Sequence, residues 1–161
     1  LKAAVVGVGN IGTIHTEFYS SLENVDLTAV CDIDQEKADE AANKFNCKAF
    51  YSVESLLSEM PMEIASVCTK GEENGGDHYL PTVQLLEAGI HVLGEKPTSN
   101  NIEQARLMTR LAGQKQVRYG INLNHRFTPS AIKAKEWVEE EQTYPLNALD
   151  WTKVQISFKG N

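Results

Sequence analysis

The stretch Gly7-Val8-Gly9-Asn10-Ile11-Gly12 fits the spacing G-x-G-x-x-G, and its flanks make it informative. Ala3-Ala4-Val5-Val6 before it suits a strand buried on both faces, and Ile11 to Leu22 after it has helical periodicity. A strand that turns into a helix through three spaced glycines is built to hold a dinucleotide diphosphate. Gly7 permits the tight turn, Gly9 lets a pyrophosphate approach the backbone, and Gly12 lets the helix pack closely on the strand. Asn10 and Ile11 complete the loop, where free N–H groups and the helix dipole favour phosphate charge. A tight strand–helix turn that binds nothing is the alternative.

The alternation continues down the chain. Val25 to Cys31 reads as a second strand, followed by a helix capped by Asp34 with Ala38, Ala41, Ala42 and Phe45 at helical spacing. Lys48 to Tyr51 is a short third strand and Ser52 to Glu59 a short helix. Ile64 to Cys68 is a fourth strand, and Leu80 to Ala88 a helix stopped by Gly89. Ile90 to Leu93 is a fifth strand. Asn100 with Glu103 reads as a capping box for a helix through Ala112 that Gly113 ends, and Val117 to Leu123 is a sixth strand. Such repetition predicts an α/β fold, a doubly wound parallel sheet of Rossmann type with right-handed crossovers.

After Asn124 the rhythm changes. Pro129 to Glu141 reads as a helix, 142–150 as an irregular connection, and Val154, Ile156 and Phe158 alternate with polar residues as in a half-buried strand. The expected organisation is a dinucleotide-binding domain over 1–123. Residues 124–161 are expected to be a linker helix and the first strand of a truncated second α/β domain. No internal repeat or low-complexity segment is visible.

Asp32 ends the second strand about twenty residues beyond Gly12, where a carboxylate accepts hydrogen bonds from the adenosine ribose hydroxyls. It would repel a 2′-phosphate, which favours NAD; Lys37 keeps NADP open. Glu95-Lys96-Pro97 closes the fifth strand at the carboxyl edge, which lines the ligand crevice in such sheets. A lysine there can reach the nicotinamide end. Burial and the positive oxidised ring would lower its pKa and suit it to exchange a hydroxyl proton, with Glu95 orienting it. Position alone leaves a solvated surface lysine equally open.

Three segments together, Gly7 to Gly12, Ala88-Gly89-Ile90-His91-Val92-Leu93-Gly94-Glu95-Lys96-Pro97 and Asn124-His125-Arg126-Phe127, resemble the successive signatures of the Gfo/Idh/MocA family. The resemblance covers nearly the whole chain. It implies an NAD(P)-dependent oxidoreductase that moves hydride between nicotinamide and a carbinol carbon of a sugar, inositol or related polyol, with Lys96 as a catalytic residue. It implies a second domain that supplies an Asp and a His to act with the lysine, and often the oligomer interface, so a homo-oligomer is expected at full length. The chain alone is expected to bind NAD without turnover. Thr69, Asn74, His78, Glu95, Lys96 and Arg126 join the glycine loop and Asp32 as candidate cofactor contacts. One departure stands out: Cys68-Thr69 runs into Lys70 and a long acidic loop, 71–77, where members carry Thr-Pro-Asn. His15 matches a family position, with helix packing its favoured role, and His91 reads as structural.

Composition excludes other classes. A net charge of −7 with no basic stripe argues against a nucleic-acid partner. Apolar runs of strand length argue against a membrane partner. No basic segment followed by a long apolar stretch opens the chain, so no secretory signal is expected, and residues before Leu1 are expected to be missing. Cys31, Cys47 and Cys68 lack metal-ligand spacing and read as buried thiols in a reducing compartment, hence a cytoplasmic protein without a metal. A non-catalytic dinucleotide-binding sensor would share this fold, but the intact Glu95-Lys96-Pro97 argues against it. A Rossmann methyltransferase would have no use for that tripeptide.

Overall fold

The computed structural model describes residues 1–71 and 77–139. They belong to two units, Leu1–Asn122 and a second that begins at Leu123.

The first unit contains strands β1 (Lys2–Val6), β2 (Asp26–Cys31), β3 (Lys48–Phe50), β4 (Ile64–Val67), β5 (His91–Gly94) and β6 (Tyr119–Ile121). Helices α1 (Asn10–Ser21), α2 (Gln35–Phe45), α3 (Val53–Glu59), α4 (Tyr79–Glu87) and α5 (Ile102–Gln114) connect them. The sheet order is β3-β2-β1-β4-β5-β6 and every neighbouring pair is parallel. This is the expected doubly wound arrangement. The order reverses between β1 and β4, so a ligand crevice lies beyond the carboxyl ends of those two strands.

Period-two alternation explains how one sheet serves two cores. In β1, Ala4 and Val6 join a cluster with Leu56, Leu85, Leu86 and Met108 from α3, α4 and α5. Val5, between them, joins Val30, Ala41 and Ala42 on the α2 side. Both faces are apolar and covered, which is why the strands read as continuous hydrophobic runs. Each fully buried valine or leucine stabilises the fold by about 1.5–3 kcal/mol.

The helix ends follow local chemistry, with three departures from expectation. Asp34 caps α2 by accepting from the Lys37 N–H, and Gly89 ends the α4 segment with φ +79°. Helix α5, however, is capped by Asn101, whose side chain accepts from the N–H groups of Glu103 and Gln104. Asn100 is displaced from that role because the Ser99 hydroxyl accepts from the Asn101 N–H and sets the entry turn one residue later. The helix also runs through Gly113, and Gln116 makes the left-handed turn at φ 56°. Strand β6 is shorter than Val117 to Leu123 because the Val117 N–H bonds to Ala112 O and belongs to the helix-ending turn.

In the second unit the described residues form a 3-10 turn, Asn124–Phe127, and helix α6, Pro129–Glu139. Lys133–Glu136 and Lys135–Glu139 pair along α6 at the expected spacing. The remainder of the predicted helix to Glu141 and the strand Val154 to Phe158 lie outside the described residues.

Candidate functional site

The glycine loop is shaped by what a side chain would strike. Gly7 has φ +86°, and a Cβ on it would lie 2.6 Å from the Thr69 N, so the end of β1 presses on the backbone leaving β4. A Cβ on Gly12 would lie 1.7 Å from the Gly7 carbonyl oxygen, so the first turn of α1 sits directly on the loop. Around Gly9 a Cβ would meet nothing within 4 Å. The backbone there is open to an approaching group. Gly9 is also the N-cap of α1, with no side-chain cap and no acidic residue in the first turn, and Ile11 is 48% exposed. Helices α2, α3 and α5, by contrast, are capped by side chains and carry Glu36, Glu54 and Glu103 in their first turns. The N-terminus of α1 keeps its donors and its partial positive charge for an external anion. These features fit a dinucleotide phosphate.

Asp32 stands beside this loop at the end of β2. Its Oδ2 accepts from the Val8 N–H at 2.8 Å and its Oδ1 from the Asp34 N–H at 3.0 Å. Each oxygen keeps acceptor capacity for a ribose hydroxyl. The Lys37 Nζ is 2.5 Å from Asp34 Oδ2, and this hydrogen bond holds the Asp34 carboxyl below the usual carboxylate range. Lys37, which the sequence left open as a partner for NADP, is therefore paired with Asp34.

Past β5, Glu95 is buried. Its Oε1 accepts from Asn122 Nδ2 at 2.6 Å and faces His15 Nε2 at 3.2 Å, while its Oε2 accepts a long 3.4 Å bond from the backbone N–H of Lys96. His15 Nδ1 lies 3.0 Å from the Ser66 hydroxyl, which lies 2.8 Å from the Tyr19 hydroxyl. Burial pushes the Tyr19 phenol up. Two expectations are thereby corrected. Glu95 does not orient the Lys96 ammonium, because its side chain turns inward to His15 and Asn122. Lys96 is exposed, so the described residues do not supply the burial expected for it. The Lys96–Pro97 peptide is cis.

The loop after β4 brings Thr69 and His78 together. The Thr69 hydroxyl donates to Asp77 O at 2.7 Å, which leaves its oxygen to accept from His78 Nδ1 at 3.0 Å. Asp77, which the sequence did not single out, accepts from the N–H groups of Tyr79 and Leu80 and starts α4. An Asp just before a helical run was the available signal. His78 and Pro97 line one shallow cleft, so this loop borders the segment that carries Lys96. Asn74 lies outside the described residues. Arg126 lies in the second unit, its guanidinium 5.6 Å from the Phe127 ring centre. His91 accepts from the Arg118 N–H at 2.9 Å, a structural role. Burial pushes the Cys31 and Cys68 thiols up to about 12. Among the described residues no group of three or more His, Cys, Asp and Glu side chains is arranged to hold a metal. No helix among them is long and apolar enough to cross a membrane.

Known proteins share this fold. A family model described as an oxidoreductase family with an NAD-binding Rossmann fold matches residues 1–123. D-glucoside 3-dehydrogenase of Escherichia coli is 30% identical over 140 residues, 86% of this chain and 39% of that protein. UDP-N-acetylglucosamine 3-dehydrogenase of Acidithiobacillus ferrooxidans is 29% identical over 152 residues, 90% of this chain and 46% of that protein. The crystal structure of GenD2 from gentamicin A biosynthesis, solved in complex with NAD, superposes with a TM-score of 0.80 at 26% identity, covering 88% of this chain and 40% of that one. The chain thus spans less than half the length of these relatives.

Proposed function

This chain belongs to the Gfo/Idh/MocA oxidoreductase family, and from that premise we propose that the complete protein is an NAD-dependent dehydrogenase acting on a sugar, inositol or related polyol. The observation that carries the reading is the open backbone at Gly9, set between an uncapped helix N-terminus and the Asp32 carboxylate. Sugar and inositol dehydrogenases among the relatives support the substrate class.

In this reading Gly7, Gly9, Asn10, Ile11 and Gly12 bind the diphosphate through backbone N–H groups. Asp32 accepts from the ribose hydroxyls and disfavours a 2′-phosphate. Thr69, Asn74, His78 and Arg126 complete the proposed contacts, while Glu95, turned inward, is not among them. NAD supplies the hydride acceptor. Lys96, at the carboxyl edge of β5, would take the carbinol proton as its neutral amine while the hydride leaves for the nicotinamide. Residues 1–123 form the cofactor domain, and 124–161 begin the substrate and oligomerisation domain. Residues 1–161 alone bind NAD without turning substrate over, a reading supported by relatives of which the match covers only 39% and 46%. The complete protein is a cytoplasmic homo-oligomer, supported by the family resemblance and by the three thiols.

The test is a turnover screen of the complete protein with NAD and a panel of sugars and inositols, followed by NADH absorbance. Reduction of NAD with at least one of them is expected. Cofactor binding without reduction across the panel would instead make the protein a sensor.

A further inference from the structure

We propose that His15 is a positioning residue for Lys96, acting through the buried carboxylate of Glu95; this rests on the reading of Lys96 as the proton carrier. His15 and Glu95 are 80 apart in sequence, and the fold brings them together in steps. Gly12 lets α1 sit against the end of β1. Three residues further along the same helix face, His15 then reaches both Ser66 in β4 and Glu95 just after β5. Asn122, just after β6, closes the cluster on the same carboxylate oxygen.

A buried carboxylate is costly unless its oxygens are satisfied. Here His15 from α1 and Asn122 from beyond β6 meet on one carboxylate oxygen, so Glu95 has little freedom to turn. The Glu95 N–H continues the ladder by bonding to Val67 O at 2.9 Å. With the Glu95 side chain held inward under α1, the backbone that leads into Lys96 is fixed, and Lys96, the next residue, is exposed past the carboxyl end of β5. The hydrogen-bond directions agree. With Nε2–H donating to Glu95, Nδ1 accepts from the Ser66 hydroxyl, which accepts from Tyr19. One helix thus carries the glycine loop at its start and the support for Lys96 one turn later, which links the two ends of the proposed cofactor site.

The complete protein tests this with three variants. His15→Asn keeps a partner for Ser66 but cannot reach Glu95; His15→Gln places a donor where Nε2 stood; Glu95→Gln removes the carboxylate. For His15→Asn, kcat should fall roughly 10- to 100-fold, with the KM for NAD within about twofold. His15→Gln should recover most of the loss. The double variant His15→Asn with Glu95→Gln should be no slower than Glu95→Gln alone. Without substrate, hydrogen exchange at the Glu95 and Lys96 amides should quicken by about tenfold in His15→Asn, while β1 amides keep their protection. Unchanged kcat, losses that multiply in the double variant, or equal acceleration across the sheet would overturn the proposal. If no polyol is oxidised by any form but the local exchange effect is present, the dehydrogenase reading fails and the clamp stands.

Discussion

The Asp32 carboxylate accepts a hydrogen bond from the Val8 backbone N–H at 2.8 Å. The acidic residue at the end of β2 therefore holds the middle of the glycine loop in place as well as facing the crevice. Its second oxygen accepts from the Asp34 N–H at 3.0 Å, which fixes the carboxylate's own orientation. In the proposed reading, one side chain thus ties the loop that would hold the phosphates to the position that would hold the ribose, which would lower the ordering cost of binding.

Replacing Asp32 should consequently do two things. Asp32→Ala should weaken NAD by roughly 10- to 100-fold, the worth of a lost charge-assisted hydrogen bond. It should also narrow the preference for NAD over NADP, since the charge that repels a 2′-phosphate is gone. Fluorescence titration with NADH and NADPH measures both. An unchanged ratio between the two cofactors would remove Asp32 from cofactor selection.

The glycines should separate by role. A Cβ on Gly12 meets the Gly7 carbonyl at 1.7 Å, so Gly12→Ala should force the helix off the loop and cost about 1–3 kcal/mol of stability. Gly9→Ala has open space around it and ordinary φ, so it should unfold at the wild-type temperature and yet bind NAD more weakly. Thermal melts with and without NAD read both effects. Equal melting of the two variants would contradict the geometry.

The buried thiols should be inert. Burial raises Cys31 and Cys68 to about 12, so at neutral pH fewer than about one in ten thousand of each is thiolate. Cys47 is raised by the same cause but only half-buried. Iodoacetamide at pH 7.5 should label Cys47 first and reach the other two only after unfolding, as read by peptide mass spectrometry. Early labelling of Cys68 would show that the β4 end opens.

Lys96→Ala in the complete protein should lower turnover roughly 10²–10⁴-fold while leaving NAD binding intact. Steady-state kinetics beside a binding titration separate the two. A parallel loss of binding would make Lys96 a cofactor anchor and not a proton carrier.

The strand–helix alternation, the tight turn at Gly7 to Gly12, the place of Asp32 at the end of β2 and the Asp34 cap were legible because each depends on near neighbours in sequence: an apolar run, a fixed glycine spacing, a side chain reaching its own backbone. The α5 cap was misread by one residue because Asn100 and Asn101 are equally suited to it. The choice between them falls to Ser99, whose hydroxyl sets the entry turn. Gly113 looked like a stop, but α5 is ended by Gln116 at φ 56°. The inward turn of Glu95 was not legible at all. It depends on His15 and Asn122 arriving from elements 80 and 27 residues away, and no local pattern announces such a meeting.

The claim on which all this depends is that the backbone at Gly9 and the carboxylate of Asp32 hold one dinucleotide. Calorimetry with NAD on the wild-type protein, on Gly9→Val and on Asp32→Ala, each first shown to be folded, tests it most directly. The account predicts saturable heat from wild type and a marked loss in both variants. No heat from wild type, or identical isotherms from all three, would contradict it.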